Sequence, residues 1–298
     1  MVNLSTIYRH IALGLLAALV FVGSVSPLAQ AAENESITLS PTSKRYQVSA
    51  GGSISDELII LNDGDVAYDF TVYTTPYSVN PTTYDPDFAT EKINADAYSW
   101  VSFTKSKYSA GVRDTIKIPF TVQVPANASP GGHYGVIFAE VQPAQGEDST
   151  IARKKRVGMI LQITVNGDVK LAGSVKDIST GWFQNQAPVT SKVSVENTGN
   201  TDFDVDTKYE IFDVLGNTRY KEEKKYAVYP DSTRPIELMW QEAPWIGLYK
   251  TKVSATVLDT TTTEEAYVLL APTWFVYTII AVCGAGVFYA IRRPTKKK

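Results

Sequence analysis

The residues that could carry out acid–base or nucleophilic chemistry are few and scattered. Among 298 residues there are two histidines, His10 and His133, and one cysteine, Cys283. Nucleophilic catalysis of the Ser-His-Asp or Cys-His type needs a base beside the nucleophile, and His133 stands in a Gly-Gly turn that favours a structural role. No G-x-S-x-G, P-loop or G-x-G-x-x-G motif is present outside the apolar C-terminal stretch. The sequence predicts no catalytic residues and no enzyme, and leaves open only a glycan-acting enzyme that uses carboxylates.

Two aspartates, Asp63 and Asp65, flank Gly64 and could suggest a calcium site. An Asp-x-Asp pair alone lacks the glycine and the twelfth-position glutamate of an EF-hand loop. A related stretch further along the chain has Thr198 and Asn200 in the same two places. The aspartates are therefore interpreted as turn-forming residues, and neither a metal nor a cofactor is predicted.

Two of the five tryptophans, Trp182 and Trp245, follow or lie in turns. A tryptophan in a turn can offer a flat apolar face to a ligand such as a sugar ring. These two residues are the predicted ligand-binding candidates. Other tryptophans of the chain are assigned to the core, a sheet edge or a membrane interface.

The turn around Asp63 belongs to a stretch that the chain contains twice, at 58–72 and at 193–207. Aligned, Asn62 meets Asn197, and a glycine follows two residues later in both copies. Each copy is an alternating segment, a turn rich in Asn, Asp and Gly, and a second alternating segment. This pattern predicts a β-hairpin in each copy, and hence two similar β-domains.

A second duplication supports two domains. The stretches 124–141 and 242–257 both run from a proline-containing turn through Gly-x-Tyr into an alternating strand, and both are predicted as closing hairpins. Short strands with turn signals every 8–12 residues, such as DVLGN at 213–217, are typical of β-sandwiches. The predicted fold class is all-β: two tandem immunoglobulin-like β-sandwiches followed by a single transmembrane α-helix.

The two ends of the chain indicate export and anchoring. Residues 1–32 have the n-region, apolar h-region and A-x-A pattern of a signal peptide. Residues 268–291 contain no charge and are long enough for a transmembrane helix, and the basic residues of 292–298 predict a cytoplasmic tail. Residues 260–265 are interpreted as a polar spacer. The expected localisation is the cell membrane, single-pass type I, with an extracellular ectodomain.

The two β-domains are predicted at 33–170 and 171–262. The composition of the chain gives little sign of a ligand, and its net charge of −3 does not suggest nucleic acid. The segment 77–98 is long and irregular, and loops of that length are often functional, so whether it binds a partner stays open. The basic run at 153–156 is interpreted as a solvated hairpin tip.

Several motifs together resemble a known family. SPTSKRYQVSAGGSISDELIILNDGD, VPANASPGGHYGVIFAEV and VGMILQITVNGDV resemble the immunoglobulin-like N-terminal module of bacterial cell-surface proteins related to the WxL-interacting proteins. VENTGNTDFDV, DVLGN and GLYKTKVSATV resemble their membrane-proximal module. The resemblance implies binding to peptidoglycan or another surface protein. It transfers no binding residue, because these are turn motifs of a β-sandwich.

The predicted function is therefore a membrane-anchored, non-enzymatic binding module for cell-wall glycan (peptidoglycan) or another surface protein. An alternative is a chaperone or assembly factor, in which an unpaired sheet edge accepts a strand from a client. The carboxylate-dependent enzyme is the second alternative. No nucleic acid and no small-molecule cofactor are expected as partners.

Overall fold

The computed structural model describes residues 36–141 and 155–292, apart from the side chains of residues 290 and 291. The predicted signal peptide, the end of the basic tail and part of the basic run at 153–156 lie outside these residues. The strands of the first half are β1 (Thr38–Ser40), β2 (Ser43–Val48), β3 (Ser53–Leu61), β4 (Tyr68–Pro76), β5 (Ser78–Val79), β6 (Pro86–Asp87), β7 (Val101–Phe103), β8 (Lys107–Ala110), β9 (Thr115–Gln123), β10 (Gly131–Val141) and β11 (Arg156–Val165), with a 3₁₀ turn, η1, at Ala97–Trp100. The second half contains β12 (Gly173–Thr180), β13 (Phe183–Gln184), β14 (Val189–Asn197), β15 (Phe203–Asp213), β16 (Thr218–Val228), β17 (Ser232–Trp240), β18 (Gly247–Val257), β19 (Thr260–Leu270) and the helix α1 (Thr273–Arg292).

The first half forms a β-sandwich. One sheet has the order β1-β3-β9-β7 and the other β2-β11-β10-β4-β8. Residues of β9 alternate between exposed and more buried positions, as the twofold side-chain period requires, whereas β10 is buried on both faces. Leu58 and Ile60 of β3 face Leu161 and Ile163 of β11 across a core in which all four are fully buried.

The second half repeats this arrangement. Its sheets have the orders β12-β14-β17 and β13-β19-β18-β15-β16. Val193 and Leu238 from one sheet, and Tyr209 and Val253 from the other, pack in a second core. The all-β part of the predicted fold class is confirmed; the domain boundaries at 33, 170 and 262 remain predictions.

The duplicated stretches are not hairpins. β3 pairs with β1 and β9, whereas β4 pairs with β8 and β10, so the chain crosses from one sheet to the other at the first copy. The same crossing occurs from β14 to β15, and the predicted closing hairpins also cross, from β9 to β10 and from β17 to β18. Alternation identified the strands, but pairing is decided by which sheet buries each apolar face. The predicted DVLGN hairpin is confirmed between β15 and β16.

The C-terminal part corrects two further predictions. The spacer at 260–265 is instead the start of β19, which pairs with β18 along its whole length. Val268 and Leu270 are fully buried in the second core, so the apolar stretch is divided between a strand and α1. The side chains of α1 described beyond its first turn are largely exposed, among them Ile280 and Val282.

No helix in the described ranges has the length and apolar character of a membrane span. This finding overturns the transmembrane helix predicted at 268–291. The predicted localisation, single-pass type I in the cell membrane, depended on that helix and is therefore wrong as well.

Candidate functional site

The second sheet of the first sandwich leaves part of one strand without a neighbour. β11 pairs with β10 from Arg156 to Val165, but β2 pairs only with Ile160–Val165 on its other side. The residues that precede β2 do not continue along β11, because they form β1 in the opposite sheet. Within the described ranges, Arg156–Met159 therefore has an open edge; we call these four residues the open edge.

The direction of the backbone groups follows from the ladder on either side. Ile160 donates its N–H to Thr42 on the β2 side at 3.0 Å, and Lys155 accepts from Val141 on the β10 side at 2.9 Å. Because the direction alternates along a strand, Arg156 and Gly158 point their N–H and C=O groups away from β10. The open edge thus offers two donors and two acceptors to another strand.

Aromatic rings cover the outer face of the open edge. A Cβ on Gly158 would lie 2.7 Å from a ring carbon of Phe138, so only glycine leaves space for that ring. The guanidinium of Arg156 lies 4.6 Å from the centre of the Phe138 ring and 5.7 Å from that of Phe88. Its charge is held over these rings, in a cation–π geometry.

Several other described sheet edges carry features that discourage strand addition. The strands β1, β7 and β13 have three residues or fewer, β12 is bulged near Asp177, and β17 contains Pro235. β16 is long, but its centre is charged: Lys224 pairs with Glu222 at 2.7 Å and Lys221 with Glu223 at 3.0 Å. The open edge of β11 lacks such a feature apart from Arg156, whose side chain is turned onto Phe138.

The irregular segment 77–98, here called the strap, lies next to this edge. Tyr77 and Val79 are buried with Phe138 and Tyr229 in a third apolar cluster, which joins the two halves of the chain. The ring of Phe88 meets that of Phe138 edge to face at 5.1 Å. Much of the strap is therefore a packed connection between the sandwiches.

Tyr84 at the tip of the strap has a left-handed backbone conformation, with φ of 64°. That conformation is unfavourable for a bulky residue and needs support from its surroundings. The Tyr84 hydroxyl donates to the carbonyl of Ala227 at 2.7 Å and accepts from the N–H of Tyr229 at 3.0 Å. Arg234 lies over its ring at 4.7 Å. The second sandwich holds the strap at this point, and burial raises the pKa of Tyr84 to about 12.

A network of hydrogen bonds forms the rest of the junction between the sandwiches. The hydroxyl of Tyr134 donates to the carboxylate of Asp202 at 2.9 Å and accepts from its backbone N–H at 3.0 Å. Arg45 donates to the other carboxylate oxygen of Asp202 at 2.7 Å and to Asp204 at 2.9 Å. Gly131 has a φ of 119°, and a Cβ there would lie 2.6 Å from the carbonyl oxygen of Asn200. Gly131, at the start of β10, thus permits close approach of the two sandwiches.

The charges of this network stabilise one another. The hydrogen bond from Arg45 lowers the pKa of Asp204, and the hydrogen bond to Asp204 raises the pKa of Arg45 despite partial burial. Burial, and then the neighbouring Asp202 carboxylate, raises the pKa of Tyr134 well above its ordinary value. The network is therefore charged at Arg45 and neutral at Tyr134 over the physiological range.

His133 is 3% exposed and lies beside this junction. Its Nδ1 is 2.7 Å from Asp96 and its Nε2 is 2.8 Å from the carbonyl oxygen of Ser129. In the described ranges no group of three or more His, Cys, Asp or Glu side chains is placed to hold a metal ion.

The predicted ligand-binding tryptophans are exposed and lie in the second half of the chain, whereas the open edge belongs to the first. Trp182 is 74% exposed and contacts Phe183. Trp245 is 59% exposed, and its ring stacks at 6.3 Å on Trp274 at the start of α1. Their role in ligand binding stays a prediction.

Neither a family model nor a curated protein matches the chain. The solved structures that resemble it include the class 5 fimbriae chaperone CfaA (12% identity, 80% of this chain and 100% of that chain, TM-score 0.38). They also include the CsuC–CsuE chaperone–tip adhesion subunit pre-assembly complex from the Csu pili of Acinetobacter baumannii (10%, 77% and 97%, TM-score 0.39). A third is the E. coli chaperone DraB (15%, 78% and 97%, TM-score 0.37).

The resemblance to WxL-interacting proteins is corrected: no family model matches the chain, and the similar structures named above are fimbrial chaperones. The predicted membrane-anchored module for peptidoglycan is wrong as well, because no helix of the described residues is long and apolar enough to be its anchor. The turn motifs that suggested that family belong to the β-sandwich and do not distinguish one family of sandwiches from another.

Proposed function

We propose that this protein is a non-enzymatic assembly factor of chaperone type, which binds an extended segment of a partner protein along the open edge of β11. The observation on which this proposal rests is that the backbone groups of Arg156 and Gly158 directed away from β10 face no strand among residues 36–141 and 155–292. A partner strand added there would satisfy these groups by β-augmentation, in which backbone hydrogen bonds supply affinity.

The surroundings of the edge support a protein partner. Val157 packs against the first core and Met159 is fully buried in it, so the strand is held in place by its inner face. The strap and the ring of Phe138 support its outer face. An edge supported on both faces keeps its geometry before the partner arrives, which lowers the entropy cost of binding.

The chemistry of the described residues supports a non-enzymatic role. His133 has both ring nitrogens within hydrogen-bonding distance of acceptors, so it offers no free base to a nucleophile. The fimbrial chaperone structures that resemble this chain include complexes with tip adhesin subunits. A protein that needs assistance in assembly is the corresponding class of partner proposed here.

The test uses proline to remove one donor from the open edge. Arg156→Pro deletes an N–H that points away from β10, so the β10–β11 ladder keeps its hydrogen bonds. Arg156→Ala is the matched control, because it removes the side chain and its contact with Phe138 but keeps the N–H. Both variants are purified with bound partners from the native host, after a photo-crosslinker at position 156 has defined the captured segment in the unaltered protein.

We expect capture of one extended partner segment at position 156, and none at position 221 in the charged edge of β16. Arg156→Pro should lose that partner while Arg156→Ala retains it. Equal retention by both variants, or crosslinks spread over unrelated segments, would contradict strand addition at this edge.

A further inference from the structure

His133 lies between two acceptors, which makes its protonation state a structural question. Its Nδ1 faces the Asp96 carboxylate at 2.7 Å and its Nε2 faces the Ser129 carbonyl at 2.8 Å, with the Ser129 hydroxyl further away at 3.4 Å. A neutral imidazole carries one N–H and can donate to only one of them. Donation to both requires the imidazolium ion.

The ring is also enclosed. The His133 side chain is 4% exposed, and the ring of Trp100 lies 4.7 Å away, centre to centre. The strap contributes Asp96, the turn before β10 contributes Ser129, and η1 contributes Trp100. Of the groups that face the ring in the described part of the chain, Asp96 is the charged one.

The position of His133 connects two features already described. Asp96 lies near the C-terminal end of the strap, whose tip is bound to the second sandwich through Tyr84. Tyr134, which follows His133 in the chain, donates its N–H to the carbonyl of Asn94 in the strap at 2.8 Å. Its hydroxyl donates to the carboxylate of Asp202. A change at His133 therefore acts on the strap and on the junction together.

We propose that His133 is a proton-operated latch: when charged it ties the end of the strap to β10, and when neutral it releases the strap and loosens the junction between the sandwiches. The neutral ring would leave either Asp96 or Ser129 facing a lone pair in a nearly closed site. Such an arrangement is unfavourable because a nitrogen of the enclosed ring then faces an acceptor at hydrogen-bonding distance with no proton between them.

The electrostatics agree with this geometry. Burial lowers the pKa of His133, but the hydrogen bonds to Asp96 and Ser129 and the charge of Asp96 together outweigh burial and raise it above the ordinary value. A raised folded-state pKa contributes stability that is fully present below about pH 6.5, the unfolded value. That contribution is lost as the pH rises through the folded-state pKa.

The first measurement is a pH titration of the His133 ring, monitored by long-range ¹H–¹⁵N NMR. It uses the full chain with His10→Gln, so that His133 is the one histidine left. We expect both ring nitrogens to be protonated at pH 6, with a midpoint above the ordinary value of 6.5. Asp96→Asn should shift the midpoint down, whereas Asp87→Asn should not, because the Asp87 carboxylate lies elsewhere on the strap and accepts from Ala89. A single neutral tautomer at pH 6, or a midpoint unchanged by Asp96→Asn, would overturn the proposal.

The second measurement tests release of the strap. Hydrogen exchange of the Tyr134 amide, corrected for the intrinsic effect of pH, should lose protection as the pH rises through the midpoint. In Asp96→Asn this loss should move to lower pH together with the midpoint. Protection that stays constant through the midpoint would show a charged histidine without a latch, and would overturn the proposal whatever partner binds the open edge.

Discussion

Two buried asparagines, Asn62 and Asn197, each fix the point where the chain crosses between sheets. The Asn197 amide donates to the carbonyls of Thr201 and Val228 at 2.9 and 2.8 Å, and its oxygen accepts from the N–H of Gly199 at 2.8 Å. Asn62 makes the same three kinds of bond, with one donation across to Gly111. The asparagine that both copies share therefore binds backbone groups of its own turn and of a neighbouring segment. A calcium site is not needed to explain why it recurs.

Asn197→Ala should lower the free energy of unfolding by about 2–4 kcal/mol, because it leaves buried backbone groups without partners. Urea unfolding followed by circular dichroism measures the change. Asn217→Ala is the control: its amide binds Asp213 at an exposed turn, and a loss of at most about 1 kcal/mol is expected. Equal losses in the two variants would show that burial of Asn197 adds nothing.

At the scale of the element, β16 shows how a long edge strand remains unpaired. Tyr220 and Tyr226 pack against the second core, and between them Glu222 and Lys224 lie on the same side of the strand and pair with each other. Charged residues that point inward from an edge strand discourage the addition of another strand. Strand addition is thus opposed at β16, whereas the part of the chain that the structure describes leaves Arg156–Met159 of β11 open.

Replacing Glu222 and Lys224 together by valine should cause self-association, because the edge would become apolar and β-prone without any change of net charge. Light scattering after size-exclusion chromatography measures the oligomeric state. The double variant Lys221→Val/Glu223→Val removes an ion pair from the opposite side of the same strand and should associate less. Monomers in both variants would indicate that other features protect this edge.

For the whole molecule, the junction decides whether the two sandwiches behave as one unit. Tyr229 is its centre: the rings of Tyr77 and Tyr134 meet it edge to face at 5.4 and 4.9 Å, and its hydroxyl accepts from Gln162 at 2.9 Å. It contacts the strap, β10 and β11 at once. Coupled unfolding of both sandwiches is the expected consequence.

Tyr229→Ala should separate unfolding into two transitions, because loss of a buried aromatic residue costs about 3–5 kcal/mol and here that cost falls on the junction. Differential scanning calorimetry would resolve the transitions. Tyr267→Ala, at a tyrosine 64% exposed on β19, should keep the original profile. A single transition in Tyr229→Ala would mean that the Arg45–Asp202 network couples the sandwiches alone.

The sequence alone was enough to predict two β-sandwiches, because alternation and Asn-Gly turns are local properties that fold the chain over a few residues. Trp182 and Trp245 were recognisable as exposed for the same reason. The junction was not recognisable: Arg45 and Asp202 are far apart in the chain, and neither stands in a motif. The half-buried glycine at position 158, inside an otherwise apolar strand, was a local sign of the open edge.

The tertiary structure decided which strands pair, and with that the candidate site. β2 runs parallel to β11, and its first residue pairs with Ile160, four residues after β11 begins. This offset depends on where the chain passes from one sheet to the other. The composition of 77–98 predicts a long irregular loop, whereas the structure packs part of it against Tyr229. The Gly-Gly sequence before His133 predicts a turn residue, whereas folding buries His133 in β10 with Asp96 and Ser129 at its two nitrogens. Local sequence determines the elements, whereas the choice of neighbours depends on the burial of apolar faces and buried polar groups throughout the chain.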